Sequence, residues 1–418
     1  MSSTQPKKVA VIGSGVAGLT AAHLLQRKYQ VTLYEKASRL GGHTNTVILP
    51  DGEDAGTPID TGFIVMNHRN YPLLTQLFDQ LGVELRDSNM SFGYHDRPSG
   101  LQYCGNGLDG LFAQRSNILR PSFHCMVRDT LRFFKTAEKD RDEDRLINES
   151  LGEYLERHRF GMAFINHHVI PMGSAIWSTP CRQMLEFPAK SFLQFFHNHG
   201  LLTIKGRPQW RTVVGGSCDY IERMKQSWNR VDIRLNAGIT GIRRDHRVRI
   251  FFEDREAENY DEVVIATHAD QALGLLLDPG NREKELLGCW QYSRSRTVLH
   301  TDESVMPPLR KIWSSWNFQR REGDQTSLTY YMNLLQGLKT KKQYFVSLNP
   351  ATEPKGIIRE FDYEHPMYTR DALCKRAELK KLNGQNNTWF AGSYFGNGFH
   401  EDAVRSAVTV AKSFGQAL

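Results

Sequence analysis

Val9-Ala10-Val11-Ile12-Gly13-Ser14-Gly15-Val16-Ala17-Gly18-Leu19 decides the fold of this chain. An apolar run leads into G-x-G-x-x-G and then into an Ala- and Leu-rich stretch, after which a second apolar run, Val31-Thr32-Leu33-Tyr34, ends in Glu35. A strand, a glycine turn, a helix and a strand-terminal acid in this register form a dinucleotide-binding βαβ unit. A bare G-x-G-x-x-G also occurs in ordinary glycine-rich turns; the strand, helix and acid separate the two readings. Gly13 permits the tight turn, Gly15 lets the backbone approach a pyrophosphate, and Gly18 lets the helix lie close on the sheet. Val16 and Ala17 open that helix, whose free N–H groups and positive dipole end face the phosphates. Glu35 is placed to present its carboxylate to the adenosine ribose hydroxyls, which disfavours a 2′-phosphate and so argues against NADP.

The next segment, Lys36-Ala37-Ser38-Arg39-Leu40-Gly41-Gly42-His43-Thr44, carries a second glycine pair that NAD-binding folds do not need. FAD is longer and threads deeper, so a second loop of close backbone approach is expected, with Arg39 available to the phosphate or adenosine side. Glu-x-x-x-Arg-x-Gly-Gly resembles the second flavin-binding motif of the flavin amine oxidase and carotenoid desaturase superfamily. The C-terminal Thr388-Trp389-Phe390-Ala391-Gly392-Ser393-Tyr394-Phe395-Gly396-Asn397-Gly398-Phe399-His400-Glu401-Asp402-Ala403 is similar to its closing motif. There a strand ends in Ala-Gly, and a glycine-rich turn starts a helix whose first amides face the flavin pyrimidine edge, where negative charge develops on reduction. The resemblance implies cofactor contacts from Lys36, His43, Thr44, Thr61, Gly62, Phe63, Ile239, Gly392, Gly398, Phe399, His400 and Ala403, besides Gly13, Gly15, Val16, Ala17, Gly18, Glu35, Arg39, Gly41 and Gly42.

Further stretches extend the resemblance over nearly the whole chain: Asp60-Thr61-Gly62-Phe63-Ile64-Val65, Trp177-Ser178-Thr179, Phe195-Phe196-His197-Asn198-His199-Gly200-Leu201-Leu202 and Gln209-Trp210-Arg211-Thr212-Val213. They resemble a bacterial branch of the superfamily described as NAD/FAD-binding or FAD-dependent oxidoreductases and linked to fatty-acid modification and cyclopropane-fatty-acid-type methyltransferases. The implied fold is α/β, with a discontinuous Rossmann-like FAD-binding domain of the GR2 type (1–75, 206–273 and 373–418) and an α+β substrate domain (76–205 and 274–372). Association with a fatty-acid methyltransferase is an implied partnership.

Length and composition agree. At 418 residues the chain suits two domains, and 40% hydrophobic with 24% charged residues is ordinary globular composition. Cys104, Cys125, Cys181, Cys218, Cys289 and Cys374 show no C-x-x-C spacing, so neither a disulfide framework nor a zinc site is signalled. The polar stretch Met1 to Lys8 runs straight into the first strand and leaves no room for a signal peptide. No window reaches the ~18 continuous apolar residues of a membrane helix. A cytoplasmic protein, soluble or peripheral at the inner membrane face, is expected. The net charge of +7 has two readings. Arg115, Arg120, Arg128, Arg132 and Lys135 interleave with Phe112, Ile118, Leu119, Phe123, Phe133 and Phe134, so Cys125 to Ala137 forms either an amphipathic helix facing anionic lipid or a solvated face over an ordinary core. No nucleic-acid-binding module accompanies the charge.

Along the chain, Leu73, Leu74, Leu77, Phe78 and Leu81 have helical spacing with a stop at Gly82. From there to about Lys205 the pattern is mostly helical. Val231–Leu235, Val248–Phe252 and Val263–Ala266 are expected strands returning to the flavin domain, the last a buried parallel one. Ile312–Asn317 and Leu328–Asn333 are expected strands of a substrate-domain sheet.

The chemistry is less legible. His400, Glu401 and Asp402 lie in the motif nearest the flavin ring and are the first candidates for proton transfer, although acids in a first helical turn are favoured by the dipole alone. Tyr394 is a candidate for one aromatic ring over the flavin. Trp177, Trp210, Trp313, Trp316, Tyr330 and Tyr331 are either core or lining of an aromatic cavity. His197 and His199 on a strand would point one way; with no third ligand, structural hydrogen bonding is favoured and no metal site is expected. His167 and His168 on a strand would diverge. Two classes of enzyme fit. One is an FAD-dependent dehydrogenase, desaturase or double-bond isomerase that moves hydride between a fatty-acyl or other lipid chain and flavin N5, with an elongated apolar cavity. The other is a flavin amine oxidase, which needs aromatic rings at the flavin face and usually a lysine near N5 that no motif here places. A flavin-bound, non-catalytic partner of a lipid enzyme is the third reading.

Overall fold

The computed structural model describes residues 7–177, 180–321 and 326–418. Met1–Pro6 and the Ser178-Thr179 part of the tryptophan motif lie outside the described residues.

Five parallel strands form the nucleotide sheet: β1 (Lys8–Ile12), β2 (Gln30–Tyr34), β3 (Val231–Arg234), β4 (Glu262–Ile265) and β5 (Thr388–Phe390), in the order β5-β4-β1-β2-β3. Val11 pairs with Leu33 on one side and Val264 on the other. Both faces of β1 are covered, which is why its apolar run is continuous rather than alternating. The order places strands from both ends of the chain beside β4, all parallel, so the amino- and carboxy-terminal motifs emerge at the same carboxyl end of the sheet.

Helix α1 (Val16–Leu25) is buried along its whole length and lies between this sheet and the terminal helix. Small residues make that possible: a Cβ on Gly18 would overlap the Gly13 carbonyl oxygen, so only glycine allows the helix to start so close to the turn. Helix α2 (Pro72–Leu81) has proline in its first turn and a left-handed Gly82 at its end, as its spacing predicts. Leu74, Leu77 and Phe78 dock it into the nucleotide-domain core.

The second half of the molecule rests on a seven-stranded sheet, ordered Ile357–Pro366, Tyr292–His300, Phe345–Leu348, Thr326–Tyr331, Trp316–Arg320, Phe92–Asp96 and Leu101–Cys104. Its pairings are antiparallel except for Phe92–Asp96 with Trp316–Arg320. A helical layer covers it, including α3 (Pro121–Asp140) and α4 (Ala189–Asn198).

Several sequence expectations change. Residues 85–104 form three strands rather than helix. Ile312 ends a short 3₁₀ turn, and the strand begins only at Trp316, because the Asn317 side chain accepts from the Ser314 amide (2.9 Å) and closes a turn there. Leu328 lies in a strand that ends at Tyr331, and Met332 opens a short helix. Val248–Phe252 joins a separate antiparallel sheet with Ile239–Arg244 and Glu258–Tyr260 rather than the parallel sheet. The boundaries after residues 75, 273 and 372 fall inside the helices Pro72–Leu81, Ala269–Leu275 and Arg370–Lys375. His167 and His168 sit on a π-helical turn, Ile165–Val169, and His197 is on α4 with His199 at its C-cap, so neither pair is on a strand. His197 Nδ1 bonds Glu138 (2.7 Å) and His199 Nδ1 bonds the Phe195 carbonyl (3.0 Å). Among the described residues no cluster of His, Cys, Asp and Glu could hold a metal ion, and Cys104, Cys125, Cys218, Cys289 and Cys374 are free thiols. No helix among them is long and apolar enough to cross a membrane. Helix α3 turns Phe123 and Phe133 into the core, while Leu119 just before it is 85% exposed.

Candidate functional site

One cavity of about 1180 Å³ is lined by Gly13 at the nucleotide sheet, by Ile239 of the small antiparallel sheet and, on its helical side, by residues that include Arg207. That exceeds the ~300–1,000 Å³ of pockets for a single drug-sized ligand, so it has room for a dinucleotide and a second molecule.

At the sheet end the backbone forms the wall. Gly13 has φ +95° and abuts Ala266, whereas a Cβ built on Gly15 would meet nothing within 4 Å. The space in front of Gly15 is therefore kept open toward the cavity, at the N-terminus of a helix whose first amides have no side-chain cap. Gly42 closes in from the second loop; a Cβ there would stand 3.3 Å from Gly15 Cα. The two glycine turns thus face each other across the place where a pyrophosphate would lie, and this cradle fits the dinucleotide that the sequence implies. Glu35 ties the turns together: one carboxylate oxygen accepts from the Ser14 amide (2.9 Å) and hydroxyl (2.6 Å), and the other from the Ala37 amide (2.9 Å). Arg39 donates to the carbonyls of Gly42 (2.8 Å) and Thr44 (3.2 Å), stiffening the second loop while still lining the cavity. Val16, Ala17, Lys36, Gly41, His43, Gly62, Phe63 and Ile239 also line it.

Three predicted contact residues stand behind the wall instead of on it. Gly18 serves the helix–turn approach described above. Thr44 bonds the Tyr220 hydroxyl (2.6 Å) and His400 Nε2 (3.0 Å). Thr61 bonds the Asn45 carbonyl (3.1 Å) and the Tyr363 hydroxyl (2.8 Å).

Histidines not foreseen as a group occupy the middle of the cavity. His43 stacks on Tyr363 (4.9 Å) and meets His365 edge-on (5.1 Å), and His268 lies flat on Tyr292 (4.3 Å). Burial pushes His365 down to about 4 and lowers His43 and His268 as well, so these rings are neutral at pH 7. His43 Nε2 and His365 Nδ1 are buried without a hydrogen-bond partner, at a cost of about 1–3 kcal/mol each, while His268 Nδ1 lies 3.4 Å from the Glu364 carboxylate. An apolar side chain would avoid that cost in a wall that met no ligand. The position of His268 is the signal that could have found it, because it follows the carboxyl end of a parallel strand, where open α/β sheets bind ligands.

At the far end of the nucleotide groove the terminal helix α5 (His400–Ser413) begins, again with no side-chain cap on its first amides. Gly398 has φ +91°, and a Cβ there would lie 2.7 Å from the Tyr368 hydroxyl. Gly392, Phe399, His400 and Ala403 reach the cavity. The His400 ring stacks on Phe63 at 3.8 Å, and desolvation holds its pKa at about 3. Glu401 does not reach the cavity. Its carboxylate accepts from the amides of Leu73 (3.1 Å) and Leu74 (3.0 Å) and pairs with Arg405 (3.2 Å), so it caps α2 and is not positioned to exchange a proton with a ligand. Asp402 accepts from the Asn397 (2.9 Å) and Phe399 (3.2 Å) amides. Tyr394 lines the cavity, yet it is 1% exposed and wedged between Trp290 and Phe395.

Beyond α5 the cavity becomes an aromatic arm. Phe399 stacks on Phe195 (5.0 Å), Phe195 on His199 (3.8 Å), and Trp177 packs on Phe195 (4.7 Å). Trp210, Trp316 and Tyr330 also line it, whereas Trp313 and Tyr331 pack against Phe345 outside it. Among the described lining residues the acids are Glu35, Asp362 and Glu364, the last two beside Arg294 and His268, and the lysine is Lys36 next to Glu35. Among the described residues the arm itself contains neither acid nor lysine.

Comparison with known proteins agrees with this geometry. The family model described as flavin containing amine oxidoreductase matches residues 16–333. An Arabidopsis thaliana protein named lysine-specific histone demethylase 1 homolog 3 is 28% identical over 162 residues, 37% of this chain and 9% of its own. The chain spans less than half the length of the curated relatives it matches. Among solved structures, cyclohexylamine oxidase from Brevibacterium oxydans superposes with a TM-score of 0.72 at 16% identity, covering 98% of this chain and 100% of that one. A CLA-producing fatty acid isomerase from P. acnes gives 0.69 at 15% identity, with 98% of each chain covered. At these identities the likeness is one of fold.

Proposed function

Because the chain belongs to the flavin containing amine oxidoreductase family, we propose that its cavity holds FAD and that the aromatic arm takes a fatty-acyl or similar lipid chain for dehydrogenation or double-bond isomerisation. Bound there, the flavin supplies a two-electron acceptor for hydride. The residues that would hold it are the glycines of the two facing turns and the first amides of α1 at the pyrophosphate, Glu35 at the ribose, and the first amides of α5 at the ring end, where the helix dipole favours negative charge.

The observation that carries the substrate reading is the composition of the arm. Rings and aliphatic side chains exclude water and hold a hydrocarbon chain without directional polar contacts, and among the described residues no carboxylate lines the arm to meet an ammonium group. The titratable groups nearest the rings are histidines held neutral, His199 at about 4 and His400 at about 3. A flavin amine oxidase is the second reading, favoured by the near-parallel Phe195 and Phe399 rings (21°).

Incubation with saturated and unsaturated fatty acids, followed by chromatographic analysis of double-bond number and position, tests the proposal. A shifted double bond without added acceptor supports isomerisation, and a new double bond that requires an acceptor supports dehydrogenation. Unchanged lipids together with rapid anaerobic bleaching of the flavin by alkylamines would replace it with the second reading.

A further inference from the structure

Arg207 stands where the aromatic arm opens, lining the cavity with Phe134, His168, Met172, Ile176 and Leu201. Its own loop aims it. The Thr203 hydroxyl donates to the Lys205 carbonyl (2.7 Å) and accepts from the Lys205 amide (3.3 Å), and Arg207 Nε donates back to the Thr203 carbonyl (2.9 Å). That bond leaves Nη1 and Nη2 uncommitted, and among the described residues no carboxylate lies within ion-pair distance of the guanidinium. Other arginines on the same cavity are engaged: Arg39 with loop carbonyls and Arg294 with Asp362. Although Arg207 is solvent-exposed, the surrounding protein desolvates it enough to lower its pKa, and its charge lowers that of buried His168. A guanidinium at the edge of an apolar cavity, with two uncommitted Nη groups and no ion pair to displace, presents a donor fork that fits an anionic ligand.

We propose that Arg207 binds the anionic head group, a carboxylate or phosphate monoester, of a single-chain lipid whose hydrocarbon tail runs inward along the aromatic arm. This rests on the acyl reading of that arm and adds the head group to it. The guanidinium fork matches either oxyanion in a bidentate manner. One cation at the rim and no acid in the arm also orients the chain, head outward and tail toward the ring end.

The experiment is an anaerobic titration of the flavin-loaded protein with decanoate, decyl phosphate and decanol, followed by perturbation of the flavin spectrum. The wild type is expected to bind at least one anion about 10- to 100-fold more tightly than decanol, the range of one charge-assisted contact. The anion that gains more identifies the source, free acid or phosphorylated lipid. Arg207→Gln should reduce anion affinity to that of decanol and leave decanol unchanged, with Arg207→Lys intermediate. Equal flavin content and melting temperature in both variants exclude a folding defect. Anion preference that survives in Arg207→Gln, or a wild type that binds decanol as tightly as the anions, overturns the assignment and leaves the acyl reading standing. A wild type perturbed by none of the three ligands overturns the acyl reading itself, and this inference with it.

Discussion

The His400 imidazole lies parallel to the Phe63 ring at 3.8 Å, with Nε2 3.0 Å from the Thr44 hydroxyl. The contact joins the first residue of the last helix to the loop that follows the second glycine turn, so the two terminal motifs meet as one wall. It also removes His400 from acid–base chemistry at neutral pH, since stacking and burial favour the uncharged ring.

A pH dependence follows from that burial. His400 falls from an unfolded value near 6.5 to about 3 in the fold. The unfolded chain therefore binds the proton first as pH drops, and the stability contribution, complete above pH 6.5, is lost progressively toward pH 3. Within that window one such group steepens the dependence by about 1.4 kcal/mol per pH unit. His400→Gln should flatten the acid limb of a denaturant-unfolding series by that amount between pH 6 and 4, and an unchanged slope would show that His400 is protonated in the native state.

Gly15 and Gly18 separate ligand space from packing space. A methyl group at position 18 meets the Gly13 carbonyl, so Gly18→Ala should destabilise the apoprotein by about 1–3 kcal/mol in urea unfolding. A methyl group at position 15 meets only open space, and Gly15 has the ordinary φ of −62°. Gly15→Ala should leave the apoprotein as stable or up to ~1 kcal/mol more stable, while the ratio of bound flavin to protein falls. Full flavin retention in Gly15→Ala would contradict the pyrophosphate cradle.

Glu401 is assigned to architecture. Glu401→Gln weakens the cap on the Leu73 and Leu74 amides and its pairing with Arg405, which should cost about 1–2 kcal/mol of stability. The rate of flavin reduction per bound flavin should remain within about twofold. A large loss of rate at full occupancy would restore Glu401 to the chemistry.

Backbone demands were the legible part of this molecule. Gly13, Gly15, Gly18 and the Gly41-Gly42 pair are required by turns and close approaches that act within a few residues, so their spacing alone announces them. Glu401 shows the limit: an acid in a first helical turn is locally expected, but its partners are amides more than 320 residues away in sequence. His268 caps the helix that follows a strand of the parallel sheet and His365 lies in a strand of the seven-stranded sheet, so they become neighbours only where the two sheets meet. Arg207 carries no local pattern at all, since its interest lies in the counter-ion it lacks. The strands within 85–104 were obscured for a related reason. Leu85–Ser88 pairs with the distant Trp210–Val213, and Phe92–Asp96 and Leu101–Cys104 answer to the seven-stranded sheet, so tertiary pairing and burial outweigh local periodicity.

The most direct measurement is the cofactor itself. Protein purified without added cofactor, then denatured and its supernatant resolved by chromatography, should release FAD at close to one molecule per chain. Release of FMN, or a colourless protein that cannot be reconstituted with FAD, would contradict a dinucleotide lying between the Gly13 turn and the start of the final helix.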